Sequence, residues 1–408
     1  MTLIEPEVVD PAYAERLDTA DPLARFRDEF VVDDPELIYL DGNSLGRLPK
    51  ATAERLRRFA TEGWGGELVR GWEQWLTLPL EVGDRLAASV LGAQRGEVAI
   101  SDSTTVNLYK LAAAALAAQP GRRVVVTDRD NFPTDRYVLE GVAAAAGGEV
   151  RWVEGDPVEG SQPHDVASVL DDDVALVSLS LVNYRSAAIA DLRAITAAAH
   201  ENGSLILWDL SHAAGVVPID LEAGGVDLAV GCTYKYLNAG PGAPAFLYVR
   251  TALQERLRNP IQGWFGQRDQ FDMGQGYDPT PGIGQWLTGT PTIIALEAID
   301  EGLRLIVEAG LDRIRSKATA LGDHAIALHD AWLAPLGFSL GSPVNDERRG
   351  AHVAIRRVDA AQLSAGLTAQ GVITDYRAPD SIRFGLSPLT TSFADVHEGL
   401  RRLRDLAR

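Results

Sequence analysis

Lys235 stands in Thr233-Tyr234-Lys235-Tyr236, after the apolar run 226–232 and before the Gly-Pro-Gly turn at 240–242. A lysine partly withdrawn from water at the end of an apolar strand gives up its proton more easily, which suits its amine to attack a carbonyl and form a Schiff base. The plainer alternative is a strand-end lysine reaching to solvent. Asp209 follows Trp208 and lies three residues before His212. It is placed either to pair with a buried pyridinium nitrogen or to cap the next helix. Asp209 and His212 would also make half of a metal site, but no third ligand stands at suitable spacing nearby. Ser103 and Thr104 open an alanine-rich helix running to about Ala118. Free amides and hydroxyls at such a start bind an anion such as phosphate, or serve only as a cap.

Lysine usage sharpens the reading of Lys235. Of 38 basic residues only Lys50, Lys110, Lys235 and Lys317 are lysines. Lys50 follows Pro49 at a helix start, and Lys110 and Lys317 fall in helical stretches where they are expected to face water. A chain that otherwise uses arginine has kept a lysine at the most apolar of the four positions, and arginine cannot form a Schiff base in water. The net charge of −19, without a concentrated basic run, argues against nucleic acid or an anionic membrane as partner and favours small molecules. The single cysteine, Cys232, excludes an internal disulfide and a multi-cysteine zinc site. The N-terminal MTLIEPEVVDPAYAERLD is acidic without an apolar core, unlike a signal peptide, and the greasiest stretch, 111–118, is too short to span a bilayer. A cytoplasmic protein is expected.

The elements that must position these residues alternate strand and helix. Helical spacing over 11–30 precedes a short strand at 37–40 and the polar turn Asp41-Gly42-Asn43-Ser44-Leu45-Gly46, whose glycines can bring backbone close to a ligand. Trp64, Trp72 and Trp75, with Gly63, Gly65 and Gly66 nearby, suit either a pocket wall for a flat ligand or ordinary packing. Strands at 98–101, 124–127, 174–181 and 205–209 are each followed by a polar loop or helix, among them Asn131-Phe132-Pro133-Thr134-Asp135 and Val182-Asn183-Tyr184-Arg185. This pattern predicts an α/β fold, a mostly parallel sheet with helices on both faces and a ligand crevice at the carboxyl ends of the strands. Thr104, Asp135, Ser180, Asp209 and Lys235 all fall at or just after such ends. A helix to about Arg258, a long glycine-rich and aromatic segment through Gly289-Thr290-Pro291, and a long helical stretch from 292 to about 332 complete the pattern. The segments expected are 1–55 packing with a small domain, a large domain over 56–300, and a smaller α+β domain over 301–408.

The motifs YLDGNSLGRLP, SDSTTVNLYKL, NFPTD, LVNYR, WDLSHAAG, GCTYKYLNAGPGAPAFLYV, GWFG, GTP and IRFGLSPL run through nearly the whole chain. In order and spacing they resemble the kynureninase family of fold type I pyridoxal phosphate enzymes. The resemblance implies a mostly parallel seven-stranded sheet and hydrolysis of L-kynurenine, or its 3-hydroxy form, to anthranilate (or 3-hydroxyanthranilate) and L-alanine by Cβ–Cγ cleavage in tryptophan catabolism. It implies that Lys235 holds pyridoxal 5'-phosphate and removes the α-proton. Asp209, helped by His212, would pair with the pyridine nitrogen, Phe132 would stack on the ring, and Asp135 and Ser180 would line the cofactor. Thr104, Thr105 and Tyr234 would bind the phosphate, with Trp264 and Thr290 coming from the other subunit of a homodimer. Arg383 would grip the substrate carboxylate as a bidentate ion pair, and Ser44, Trp64 and Gly289 would complete the substrate side. Tyr234 would donate a proton to the departing carbon.

Gln267 after GWFG and Thr390 after PL depart from the family pattern, where histidine and tyrosine are usual. Both fall at the substrate end. A class V aminotransferase shares the fold and the lysine, and no residue separates it cleanly. A cysteine desulfurase needs a nucleophilic cysteine on a mobile loop, whereas Cys232 lies in an apparent strand. A non-catalytic cofactor-binding regulator predicts loss of Lys235, Asp209, Tyr234 or Arg383, and all four are present.

Overall fold

The computed structural model describes residues 6–408. Residues 1–5 of the expected N-terminal segment lie outside the described residues. The described part of that segment carries the 3₁₀ turns Pro6–Val9 and Ala24–Glu29, the helix Pro11–Ala20 and one short strand, β1 (Ile38–Tyr39), and ends inside the helix Lys50–Arg58. A central sheet follows from β2 (Val98–Ile100), β3 (Val124–Asp128), β4 (Glu149–Val153), β5 (Val174–Ser180), β6 (Leu205–Asp209), β7 (Leu228–Gly231) and β8 (Phe246–Val249). Its order is β2-β8-β7-β6-β5-β3-β4. All neighbours are parallel except β8, which runs antiparallel to both β2 and β7.

The apolar runs explain why this sheet is buried on both faces. Along β3, Val124 and Val126 face one core while Val125 faces the other; along β6, Ile206 and Trp208 face one and Leu205 and Leu207 the other. Helices Thr104–Ala117 and Pro133–Ala145 cover one face, and Leu192–Glu201 covers the other. Such a sheet has one place for polar groups to converge, beyond the carboxyl ends of its strands.

A second core belongs to the four-stranded antiparallel sheet formed by β9 (Ser339–Leu340), β10 (His352–Arg356), β12 (Asp375–Arg377) and β13 (Ser381–Gly385), in the order β12-β13-β10-β9. Between them, β11 (Val372–Ile373) pairs in parallel with β1, joining the N-terminal segment to this small domain. The segment straddles both cores: Ala14, Ile38 and Leu40 pack with the small domain, while Leu23, Phe26 and Phe30 pack with the large one.

Several sequence expectations give way here. The stretch from 292 is two helices, Ile293–Ala309 and Leu311–Leu328, because Gly310 takes φ 83 between them, a left-handed turn that glycine adopts without a Cβ clash. Leu296, Ile299, Leu303 and Ile306 of the first helix, and Ile314 and Ala318 of the second, pack with the large-domain core. The expected helix after Val249 is only the turn Thr251–Leu253. Lys110 and Lys317 do not face water. Lys110 is fully buried and paired with Asp102 at 2.8 Å, and Lys317 is buried against Asp21 at 2.6 Å. Their helices are covered on more than one side, so a short apolar period did not mark the solvent face.

Candidate active site

At the carboxyl ends of β5, β6 and β7 lies a cavity of about 330 Å³. Thr104, Asp135, Ser180, Asp209 and Lys235, the five polar strand-end residues, all line it, as do Thr105, Phe132, His212 and Tyr234. Each is brought there by a local device. Ser103 caps the helix Thr104–Ala117, its side chain accepting from the Val106 amide, so the amides and hydroxyls of Thr104 and Thr105 are left at the cavity's edge. Pro133 at the first turn of the next helix fixes its start, which turns Asp135 inward. Ser180 Oγ donates to Asn131 Oδ1 at 2.7 Å and ties the end of β5 to the loop after β3.

Asp209 ends β6 and accepts at one oxygen from the Ser211 amide (2.8 Å) and hydroxyl (2.6 Å). It caps a turn, where one reading of the sequence expected a helix, and it also lines the cavity. Asp135 stands beside it. Burial, and then the negative charge of Asp209, push the Asp135 carboxyl well above the usual carboxylate range. Its Oδ2 is buried without a protein partner.

Lys235 follows β7 in a turn, with Nζ 2.9 Å from His212 Nε2 and 5.9 Å from the centroid of the Phe132 ring. Burial, reinforced by the charges of Lys235 and Arg383, holds the His212 imidazole well below its ordinary value. Lys235 Nζ and His212 Nε2 share a hydrogen bond, and His212 Nδ1 is buried without a protein partner. His352 of β10 lies behind it, ring centroids 5.6 Å apart, pushed down to about 3 by burial and by Arg383. Burial raises the Tyr234 phenol, so its hydroxyl stays a donor. The glycine-bearing turn 41–46 reaches the lysine from the N-terminal segment. The Gly46 amide donates to the Tyr234 carbonyl at 2.8 Å, and a Cβ there would stand 2.3 Å from the Lys235 carbonyl.

Arg383 is engaged within its own chain. It is 1% exposed, and its Nε donates to Asp375 Oδ1 at 2.7 Å while Nη2 pairs with the other Asp375 oxygen, Nη1 donates to the Tyr184 carbonyl, and Ser44 Oγ lies 3.3 Å from Nη2. The bidentate edge expected to meet a substrate carboxylate is already occupied by a carboxylate of the same chain. Ser44 donates to Asp375 at 3.0 Å, and Arg377 pairs with Asp375 at 2.6 Å. Asp375 faces Arg383 across the β12–β13 ladder, a pairing that spacing alone does not reveal.

Trp64, Trp264, Gly289 and Thr290 do not line the main cavity. Trp64 is 61% exposed. Trp264 packs edge-on against Trp72 and Phe265. Gly289 and Thr290 border a smaller cavity of about 50 Å³ that shares Asp102, Pro244 and Thr292 with the main one. Gln267 accepts from the Asp278 amide, and Thr390 is buried in a turn closed on Ser387. Sequence reading missed Tyr184, which lines the cavity and meets Phe132 edge-on at 5.3 Å; its signal was the aromatic in Val182-Asn183-Tyr184-Arg185. Among the described residues no group of three or more His, Cys, Asp or Glu is placed to hold a metal, and no helix is long and apolar enough to cross a membrane.

Comparison with known proteins adds to this geometry. The family model for the kynureninase C-terminal domain matches residues 314–403. A kynureninase of Deinococcus radiodurans is 42% identical over 404 residues, covering 97% of this chain and 96% of the relative. A kynureninase of Burkholderia pseudomallei (strain 1106a) is 40% identical over 398 residues, covering 96% and 94%. In structure the chain is similar to the cysteine desulfurase of Thermococcus onnurineus, with a TM-score of 0.81 at 18% identity over 96% of this chain and 98% of that one, a likeness of fold.

Proposed function

The chain belongs to the kynureninase family, and we propose that Lys235, Asp209, Tyr234 and the Thr104–Thr105 helix start form its catalytic centre. It is a pyridoxal 5'-phosphate enzyme that hydrolyses kynurenine at a carbon–carbon bond. The observation that carries the site assignment is the convergence of Lys235, Asp209 and the open amides of Thr104 and Thr105 on one cavity.

The donors present fit the cofactor. Thr104, Thr105 and Tyr234 offer hydroxyls and amides to a phosphate, Phe132 offers a ring face, Asp209 a carboxylate for a ring nitrogen, and Lys235 an amine for covalent attachment. When bound, pyridoxal phosphate supplies an electron sink for a carbanion formed at the substrate's α-carbon. Asp135, its carboxyl raised by burial and by Asp209, lines the wall beside Asp209. Ser180, fixed by Asn131, lines the same wall. Lys235 is the base for the α-proton, and His212, neutral, steadies its amine without adding charge. Tyr234, kept protonated by burial, gives a proton to the departing carbon.

The substrate carboxylate is bound by Arg383 once Asp375 yields to it, with Ser44 at the same junction. Trp264 and Thr290 serve a neighbouring subunit's cavity in a homodimer, and Trp64 and Gly289 the substrate side; that neither Trp264 nor Thr290 lines the main cavity of its own chain supports the first assignment. We place the enzyme in the cytoplasm and in tryptophan catabolism feeding NAD biosynthesis. Cys232 is buried and burial raises its thiol, which argues against desulfurase chemistry.

Anthranilate fluorescence with L-kynurenine and 3-hydroxykynurenine as substrates tests the assignment. Kynurenine should be cleaved in preference to its hydroxylated form. Cofactor uptake with neither substrate cleaved would remove the proposed function.

A further inference from the structure

Lys110 is the one fully buried lysine, and the proposed chemistry makes no use of it. It lies in the helix whose start carries Thr104 and Thr105, and its ammonium spends all three donors inside the protein. Nζ meets Asp102 Oδ2 at 2.8 Å, the Trp286 carbonyl at 2.8 Å and Ser101 Oγ at 3.3 Å. Burial lowers the ammonium's pKa from its ordinary value, and Asp102 offsets part of that loss.

Asp102 is the unusual member of the pair. Its backbone takes φ 47, a left-handed conformation costly for a residue with a Cβ. The carboxylate borders both the main cavity and the smaller one, accepting from Ser101 Oγ at 2.7 Å and from Thr288 Oγ1 at 3.1 Å. Asp102 therefore ties the loop leading to Gly289 and Thr290 to the edge of the helix start. A phosphate at Thr104–Thr105 would lie next to this carboxylate, and two anions so close repel unless a cation stands between or behind them. Burial works to raise the Asp102 carboxyl, yet Lys110 overrides it and keeps the group ionised.

We propose that Lys110 is a positioning residue for the cofactor phosphate: by neutralising Asp102 from behind, it lets a carboxylate stand at the lip of the phosphate cradle and anchor the 288–290 loop there. The inference rests on the phosphate lying at the Thr104–Thr105 helix start. A simple core ion pair would support the fold alike for any ligand, whereas a charge balance at the phosphate acts on phosphorylated ligands alone.

Equilibrium titration of the apoprotein with pyridoxal 5'-phosphate and with pyridoxal, followed by absorbance, separates the two. Lys110→Met should weaken pyridoxal phosphate binding about tenfold or more while changing pyridoxal binding less than about threefold. Adding Asp102→Asn to Lys110→Met should restore phosphate-ester affinity to within about threefold of the parent. Equal losses for both ligands, or a double variant no tighter than the single one, would overturn the proposal. Asp102→Asn alone keeps the polar shape and serves if Lys110→Met does not fold. It should bind pyridoxal phosphate at least as tightly as the parent, and a selective loss for the phosphate ester would count against the charge balance. If the parent protein takes up no pyridoxal phosphate, the cofactor assignment itself fails, a result distinct from any of these.

Discussion

Lys235, at the end of β7, has one polar contact, a neutral imidazole nitrogen 2.9 Å away, whereas Arg383, buried on β13, has its guanidinium taken up by Asp375, Tyr184 and Ser44. Both cations sit at the junction of the two domains, and the difference lies in what must be given up when a new partner arrives. A neutral partner leaves an amine able to form a bond at little electrostatic cost. A carboxylate partner must be exchanged for another carboxylate, so binding at Arg383 is a competition between like groups. On the proposed assignment, the large domain contributes the reactive group, and the small domain a cation already engaged by its own chain.

The strongest way to break this contrast is Lys235→Ala. With no other amine lining the cavity, anthranilate release should fall by about a thousandfold or more, and the cofactor's visible absorbance should be lost on dialysis. Retention of both would move the reactive amine elsewhere. Next in size is the small-domain side. Arg383→Gln should lower kcat/KM by about a hundredfold, mostly through KM, as expected for a lost charge-assisted pair. Asp375→Asn sharpens the comparison, because removing the competing carboxylate should lower KM a few-fold (about two to five). A rise in KM for Asp375→Asn matching that of Arg383→Gln would show that Asp375 orients the arginine and does not compete with substrate.

The smallest effect concerns Asp41, at the edge of the same junction. Burial, aided by the charge of Asp375, pushes its carboxyl up to about 6 from an ordinary value of 3.8. A folded-state pKa raised above the unfolded one favours the protonated form, so the stability it contributes is full below about 4 and is lost as pH rises through about 6. Asp41→Asn should therefore stabilise the protein by about 1–2 kcal/mol at pH 8, allowing for solvent screening, and by nothing measurable at pH 4. Urea denaturation at the two pH values reads the difference directly. An equal gain at both would show that the aspartate's charge is not the cause.

The strand-end residues were legible because a doubly covered parallel sheet leaves its polar groups only one edge on which to gather. Asp135, Ser180, Asp209 and Lys235 could thus be placed together from alternation alone. Partners set by register were not. Asp375 and Arg383 are eight residues apart, and nothing in the spacing says they face each other until the β12–β13 ladder is closed. Lys110 was misjudged for a related reason: the solvent side of the alanine-rich helix Thr104–Ala117 runs along Thr105, Tyr109 and Ala117, and Lys110 stands off that stripe, turned to Asp102. Gly310 showed the opposite failure, an apolar period continuing unbroken across a left-handed residue that divides the helix.

The pairing of β1 with β11 and the seating of Gly46 on the lysine turn bear on how the molecule comes to life during synthesis. On a ribosome, Ile38 and Tyr39 emerge long before Val372 and Ile373, so β1 has no strand to join for most of translation. The Lys235 turn can form with its own sheet, and Leu23, Phe26 and Phe30 seat part of the N-terminal segment on the large core, but its β1 end is fixed only when the small domain has been made. Contacts that span most of a chain close last and slowly. Competence therefore arrives in a single late step, and a nascent chain halted before β11 has its lysine in place but lacks the strand that fixes the N-terminal segment beside it.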